Sequence, residues 1–451
     1  MGTMHALEQK LGAAFRTRPD AFFFLGLVLL AATLWTVCSF AVTPLRDFNE
    51  WTYQGYLLNR LAAGVQVPAI LKTWPVPNSV SEIGLALLMT VSRPIEAAMI
   101  FIALYIVLAG LVMARASRTA SGDIDGAKFV LLASLGVMHA PFWTGELNYQ
   151  IGLLVFFFYV CRSKTFPPSA AQVAAYAVLL FFCHALCLGM FLVYEGFRSL
   201  RCRQIIRLAI SLIPVAVLLL WYHLSDPRLD TAGLDNTPPL HGLTDWFSYS
   251  LYQLAKAGPY HNFIFGGIGD FERAPRFYWM GVAANLVFAT YLGVLFLRWA
   301  LHSLHTRAYS TEFLTAATLL IIGVFNIGAL LGIAQAGERM IAPALLLTVL
   351  ALPPKTLIAR TGAMLSAVLL AVLLHFNAAA DHSLMSGKGQ FRQLMFDSKA
   401  RFHILFWERP FLLAEPALYA EQDSIRGAPP QHPLMFQTSL FLLRRKAGTQ
   451  P

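Results

Sequence analysis

The chain has 451 residues, of which 57% are hydrophobic and only 13% are charged, and its mean hydropathy is +0.59. A typical soluble domain has roughly 45–50% apolar and about 25% charged residues. This composition excludes a soluble enzyme, a secreted disulfide scaffold and a disordered or fibrous chain, because a soluble fold must cover its exterior with polar groups. The sequence therefore predicts an all-α polytopic membrane protein.

The net charge of +10 does not indicate a nucleic-acid partner. Lys and Arg stand at the ends of apolar segments, where they fix the orientation of membrane helices. The five cysteines follow no metal-binding spacing, so we expect all of them to be reduced packing residues.

Apolar runs predict about eleven transmembrane helices, although several are shorter than the roughly 20 residues that a full span needs. Residues 1–20 are predicted to be a cytoplasmic N-terminus. The spans are predicted near residues 21–42, 95–114, 127–140, 147–161, 169–183, 184–197, 206–222, 276–298, 312–333, 340–353 and 356–376.

The distribution of basic residues orients these spans, since cytoplasmic loops carry an excess of Lys and Arg. The side predicted to be outside has few basic residues, among them Arg46, Arg60, Lys72 and Arg339. The cytoplasmic side would hold Lys10, Arg16, Arg18, Arg115, Arg118, Lys128, Arg162, Lys164, Arg198, Arg201, Arg203, Arg207, Arg298, Arg307, Lys355 and Arg360.

Two apolar segments cannot each be a single span, because the basic residues that follow them would then lie outside. Residues 168–197 are predicted to form two short helices that meet near His184, because one long helix would place the following arginines outside. Residues 79–92 are predicted to form an interfacial or re-entrant helix instead of a span. The N-terminus is then cytoplasmic and the C-terminus is outside.

Three segments are predicted to face outward. They are the loops 43–80 and 223–275, within the transmembrane domain 21–376, and a small extracytoplasmic tail, 377–451. Within the tail, residues 401–407 and 436–443 are expected to be strands or interfacial helices. The chain has no internal repeat, so an inverted-repeat transporter has no positive support.

No nucleotide-binding or nucleophile motif is present, and the predicted cytoplasmic loops are too short for a nucleotide-binding domain. Any substrate must therefore be membrane-borne or extracytoplasmic. The first outer loop offers Asp47 and Glu50, which are three residues apart and share one helical face with Tyr53 and Gln54. Carboxylates in a partly dry cleft can act as general bases. The alternative is a solvated amphipathic helix with Asp47 as its N-cap.

Two basic residues on the predicted outer side are candidates for binding phosphate. Lys72 can hold a phosphate as a point charge, or it can simply extend to the interface. Arg339, at the outer end of a late span, can offer two donors to a phosphate. The alternative for Arg339 is an ion pair with Glu338, although adjacent residues do not face each other on a helix.

A second polar group lies at the mouth of the span near residue 147. Glu146 and Asn148 follow Gly145, which permits a close backbone approach. His184 is predicted on the same side, either as a ligand of the substrate or as a structural residue. The acidic residues and histidines of the loop 223–275 match no calcium or zinc spacing.

Taken in order, these features resemble the GT-C superfamily of integral-membrane glycosyltransferases. The resemblance covers roughly residues 20–376 at the level of topology. The residues that carry it are the acidic first loop, Trp74-Pro-Val-Pro-Asn78, the Gly145-x-x-Asn148 signature, the short helices around His184 and the Glu338-Arg339 pair.

This resemblance implies that a sugar passes from a polyprenyl-phosphate carrier to a glycan, lipid or exported-protein acceptor outside the cytoplasm of a bacterium, at the inner membrane. Asp47 would be the general base, with Glu50 as second choice. Arg339 and Lys72 would bind the donor phosphate. The resemblance further places four residues at the substrate: Glu146, Asn148, His184 and Glu338. No cofactor is assigned, and a divalent metal stays open as an alternative.

The chain departs from the family pattern in two places. Asp47-x-x-Glu50 stands where many members have adjacent acidic residues or an acidic-x-x-histidine pattern, and the tail is much smaller than the periplasmic domains of many relatives. One alternative is a polysaccharide polymerase or glycan ligase that uses loop residues such as His241 and His261. Others are a transporter or flippase, which would need ionisable residues within its spans, and a non-catalytic envelope-glycan assembly factor.

Overall fold

The computed structural model describes residues 19–38, 43, 45, 47–72, 74–119, 122–137, 139–225, 242–256, 275–325, 336–351, 414–430, 432 and 441–443. This part of the chain is helical apart from one short strand pair, β1 (Ala69–Leu71) antiparallel to β2 (Phe441–Leu443). The first eight helices are α1 (Pro19–Cys38), α2 (Phe48–Ala62), α3 (Val80–Leu88), α4 (Pro94–Ala116), α5 (Gly126–Val137), α6 (Ala140–Trp143), α7 (Leu147–Thr165) and α8 (Ala170–Cys183). They are followed by α9 (Ala185–Cys202), α10 (Ile205–Ser225), α11 (Leu243–Lys256), α12 (Pro275–Thr306), α13 (Thr311–Val324), α14 (Ala336–Ala351) and α15 (Ala414–Arg426).

Three helices in the described ranges are long and apolar enough to cross a membrane, namely Pro94–Ala116, Ile205–Ser225 and Asn285–Thr306. Shorter apolar helices cover Ala21–Trp35, Gly126–Val137, Ala170–Cys183, Thr311–Val324 and Arg339–Ala351. The helical, membrane character of the chain is therefore confirmed, whereas the number of about eleven spans stays a prediction. The predicted span 356–376 lies outside the described residues.

The predicted pair of short helices around His184 is confirmed. α8 ends at Cys183 and α9 begins at Ala185, because His184 between them is extended, with φ −165° and ψ 134°. The ring of Tyr159 contacts Tyr176 of α8 and Tyr194 of α9, with centroids 4.8 and 6.3 Å away. Since these two tyrosines stand eight and ten residues from His184 on either side, the helices run antiparallel.

The segment 79–92 forms α3, a helix of nine residues that is too short to span. Its residues Ser81, Glu82 and Leu85 are buried. α2 crosses it at Gly55, where a Cβ would lie 2.7 Å from the Cβ of Leu85. The two outer-loop helices are thus packed directly on each other.

One end of the helix bundle gathers basic side chains, and we call it the basic end. Lys164 lies 3.4 Å from Glu312, Arg201 donates to the carbonyl of Tyr309, and Lys128 donates to the carbonyl of Leu350. Arg207 donates to the carbonyl of Pro168. These contacts join the ends of α7, α9 and α14 to the beginnings of α5, α10 and α13.

The opposite end holds α2, α3, the turn before α7, His184 and the start of α14, and we call it the polar end. Direct contacts join these parts, as described below. The first outer loop therefore lies at the same end as the turn before α7, His184 and the start of α14, and the described basic residues Lys128, Lys164, Arg201 and Arg207 lie at the other end.

The tail folds back onto the polar end. α15 packs against α2 and α4, and the Glu421 carboxylate accepts a 3.2 Å hydrogen bond from the N–H of Ile95. β2, within the segment 436–443 that was expected to be strand or helix, is a strand. α15 is missing from the sequence prediction, and residues 401–407 lie outside the described part.

The two ends can be assigned to the two sides of the membrane with cysteine labelling. Cys202 is the exposed native thiol at the basic end, and Ala63 is exposed at the polar end. We expect a membrane-impermeant maleimide to label Cys202 in inverted vesicles only. It should label Ala63→Cys, placed in a Cys202→Ser background, in right-side-out vesicles only. Labelling of both sites from the same side would contradict the two-ended arrangement.

Candidate functional site

Asp47 stands at the beginning of α2 and is partly exposed. Its N–H donates to the carbonyl of Thr144 over 2.7 Å, which attaches the start of α2 to the turn before α7. Its side chain makes no capping hydrogen bond to the described amides of α2. Asp47 therefore occupies the N-cap position of α2, as the alternative interpretation had it, but without the side-chain hydrogen bond of a cap, and its backbone contacts Thr144.

Glu50 is fully buried, with 0% of its surface exposed. Its Oε1 accepts a 3.2 Å hydrogen bond from Gln54, which is itself buried, as is Thr52. The alternative of a solvated amphipathic helix is therefore wrong. The polar face of α2 is covered because α3 and α15 both pack on this helix.

Gly145 allows the turn before α7 to approach α2. Its φ is +88°, and a Cβ here would lie 2.5 Å from the backbone nitrogen of Phe48. A residue other than glycine would be strained at this φ and would also collide with backbone atoms. The position of Asp47 therefore depends on the absence of a side chain at Gly145.

Glu146 and Arg339 form an ion pair across the polar end. Nη2 of Arg339 lies 2.6 Å from Oε1 of Glu146, and both side chains are partly buried. Arg339 thus has Glu146 as a carboxylate partner, and the ion pair considered for its neighbour Glu338 is not needed to explain its position. The side chain of Glu338 lies outside the described part.

Asn148 joins α7 to the segment that starts α3. Its Nδ2 donates to the carbonyl of Asn78 and to Oε2 of Glu82, both over 3.0 Å. Its Oδ1 accepts from the N–H of Ser81 over 2.7 Å. Asn148 was predicted to bind substrate, but these three bonds give it a structural role in this conformation.

Glu82 was not predicted as a site residue, although the spacing Ser79-x-x-Glu82 has the form of a capping box and could have drawn attention to it. The carboxyl group is fully buried, and its Oε1 has no hydrogen-bond partner among the described residues. Burial raises the pKa of Glu82 to about 7, while the hydrogen bond from Asn148 acts in the opposite direction. This group therefore changes its charge near neutral pH.

His184 lies beside the same group of residues. Its Nδ1 accepts from the N–H of Leu186, and its ring meets the Tyr149 ring edge-on at 5.4 Å. The Tyr149 hydroxyl in turn donates to the carbonyl of Arg339. Because Nδ1 accepts the hydrogen bond from Leu186, the proton of the neutral ring is on Nε2.

Lys72 lies at the end of β1 and is only 8% exposed. Its Nζ stands 5.8 Å from the centre of the Tyr222 ring, near the end of α10. At this distance the ammonium group is attracted by the electron-rich face of the ring. The structure thus brings Glu146, Asn148, His184 and Arg339 together around the start of α7, whereas Lys72 contacts a different helix.

The tail supplies residues that the sequence did not predict. The Tyr53 hydroxyl donates to the carbonyl of His432 over 2.6 Å, and the His432 ring stacks on Tyr419 at 3.6 Å. Asp423 is buried nearby, and burial raises the pKa of its carboxyl group. Glu50 and Asp423 also raise the pKa of Tyr53, after the larger effect of burial.

Comparisons with protein-family models, with curated proteins and with solved structures give no match to this chain. The resemblance to the GT-C superfamily therefore stays a prediction. Within the described ranges, no group of three or more His, Cys, Asp and Glu side chains is placed to hold a metal ion.

The close approach of Gly145 to α2 can be tested by comparing it with Gly64, which has a similar backbone conformation. We expect Gly145→Ala to lower the melting temperature of the purified protein clearly more than Gly64→Ala. Gly64 also has a positive φ, of +79°, but a Cβ there meets nothing within 4 Å. Both changes cost about 1–2 kcal/mol for the left-handed backbone, and only Gly145→Ala adds a collision. Equal losses would show that the turn does not press on α2.

The buried carboxyl group of Glu82 predicts that the stability of the fold depends on pH. The pKa of Glu82 is near 4.5 when unfolded and about 7 when folded, so the folded state binds more protons between these values. Its contribution to stability is therefore lost as pH rises from about 4.5 to 7, at a cost of the order of 3 kcal/mol. We expect Glu82→Gln to melt higher than the wild type at pH 8 and similarly at pH 4.5. Parallel melting curves over this pH range would contradict the assignment.

Proposed function

We propose that the chain is a membrane glycosyltransferase that moves a sugar from a polyprenyl-phosphate donor to an extracytoplasmic acceptor. The observation that carries the proposal is the turn before α7. It fixes the partly exposed Asp47 through Thr144 and holds the cation of Arg339 through Glu146. A general base and a cation for the leaving group are the two charges that such a transfer needs.

In the proposed reaction, the Asp47 carboxylate takes the proton of an acceptor hydroxyl. The acceptor oxygen then forms a bond to the anomeric carbon, and the bond from that carbon to the carrier phosphate oxygen breaks. The polyprenyl phosphate leaves with the electron pair, and Arg339 or Lys72 neutralises its charge. The apolar carrier chain stays in the bilayer throughout.

Exposure favours Asp47 over Glu50 as the base. Asp47 is partly exposed, so an acceptor from the aqueous side can reach it. Glu50 is fully buried and accepts a hydrogen bond from Gln54, so we propose that it positions α2. In this proposal His184 and Glu146 border the donor, and Asn148 holds the loop that carries Lys72.

The basic end supports the orientation proposed for the enzyme. Since cytoplasmic loops are rich in Lys and Arg, Lys128, Lys164 and Arg201 would face the cytoplasm. The polar end, with α15 folded over α2, would face the periplasm of a bacterial inner membrane. A polymerase or ligase would depend on His241 and His261, which lie outside the described residues, so no observation favours that alternative.

The test compares isosteric variants of the two first-loop carboxylates. Transfer of sugar from lipid-linked donors is measured by mass spectrometry of envelope glycans and exported glycoproteins, in membranes with matched amounts of each variant. Loss of a positioned general base costs about 10²–10⁴-fold in rate, so we expect a loss of this size for Asp47→Asn. Glu50→Gln should lose less, because its oxygen still accepts from Gln54.

The outcomes separate the alternatives. Full activity of Asp47→Asn, with the wild type active, would rule out the proposed base. An inactive wild type with a normal amount of protein in the membrane would argue against a glycosyltransferase and favour transport or assembly.

A further inference from the structure

Trp74 presents one ring face at the polar end. Its indole stacks on Phe182 with the centroids 5.2 Å apart and the planes 11° from parallel. Nevertheless, 50% of the Trp74 surface remains exposed. Because one face is covered by Phe182, most of this exposure belongs to the opposite face and the ring edge. The roles proposed for Asp47 and for the Glu146–Arg339 pair do not explain why an exposed tryptophan is held at this position.

Backbone hydrogen bonds hold the segment that follows Trp74 against the end of α8. The N–H of Ser79 donates to the carbonyl of Phe182 over 2.9 Å, and that of Asn78 donates to the carbonyl of Phe181 over 3.4 Å. Asn148 holds the same segment from α7. The Trp74 ring is therefore attached to the end of α8, two residues before His184, and so borders the candidate site.

A buried cation lies two residues away. Lys72 is 8% exposed and stands over Tyr222 of α10. α10 is a candidate membrane span whose apolar side chains are largely uncovered, with Val217 60% and Leu220 59% exposed. The apolar face of α10 therefore leads to the Lys72 cation near its end, and the exposed ring of Trp74 lies two residues further along the chain. This order matches the chain, phosphate and sugar of a glycolipid phosphate.

We propose that Trp74 is a stacking platform for the sugar ring of the lipid-linked donor, while Lys72 binds the phosphate. This inference rests on the proposed function and assigns the donor subsite within it. The C–H groups on one face of a pyranose ring are weakly positive and apolar, and the face of an indole ring is negative. Stacking thus favours the sugar-bearing donor over the bare polyprenyl phosphate that remains after transfer, which assists release of the spent carrier.

The test measures binding of two kinds of probe, bare and sugar-bearing, to the full chain in phosphatidylcholine nanodiscs. The probes are undecaprenyl phosphate and undecaprenyl phosphate carrying glucose, galactose or N-acetylglucosamine, with phosphatidylglycerol as the control anion. We expect Trp74→Ala to lose about tenfold in affinity for the preferred sugar-bearing probe and nothing for the bare phosphate. Trp74→Phe, which keeps a stacking ring, should lose about threefold. Lys72→Gln should weaken both probes equally.

Trp35→Ala is the matched control, because Trp35 is 60% exposed near the end of α1 and is not part of the site. It should leave the affinity for both probes unchanged. Equal affinity of wild type and both Trp74 variants for the sugar-bearing probe would overturn the platform and leave the glycosyltransferase proposal standing. If the wild type bound neither probe better than phosphatidylglycerol, the proposed function and the platform would fail together.

Discussion

The polar end depends on the three hydrogen bonds of Asn148. This side chain satisfies two donors and one acceptor of its own while it joins the start of α7 to the loop before α3. Two backbone groups and a carboxylate would otherwise be buried without these partners, at a cost of roughly 1–3 kcal/mol each. Once α3 is fixed, α2 packs across it at Gly55, and the first-loop carboxylates obtain their positions from that crossing.

The parts of the fold that the sequence predicted are those set by local physical rules. Apolar runs gave the positions of the helices, and the charge of Arg198, Arg201 and Arg207 required a hairpin at His184, which the structure has. Both signals act within one helix length, so one sequence is sufficient to detect them. The same charges required that residues 79–92 do not span the membrane, and α3 has only nine residues.

The environment of the site could not be predicted, because it depends on residues far apart in the chain. Glu50 and Gln54 looked like a solvated face, since no local pattern shows that a polar helix from the tail, α15, packs on α2. Likewise, Arg339 pairs with Glu146, which lies 193 residues earlier in the chain. Residue types indicated candidate chemistry, whereas burial and pairing came only from the tertiary fold.

Stability alone does not explain why Glu82 stands in α3. The Glu82 carboxyl group is buried, and its Oε1 has no hydrogen-bond partner among the described residues. Such a group is less favourable than an apolar side chain of similar volume, because its charged form loses hydration. Replacement of Glu82 by leucine would, however, leave the Asn148 amide with one acceptor fewer and would loosen the loop from Lys72 to Asn78. The carboxyl group is therefore best understood as a positioning residue. Glu82 accepts a hydrogen bond that orients the Asn148 side chain, and Asn148 in turn holds the loop that carries Lys72 and Trp74. This positioning lowers the stability of the fold to some extent.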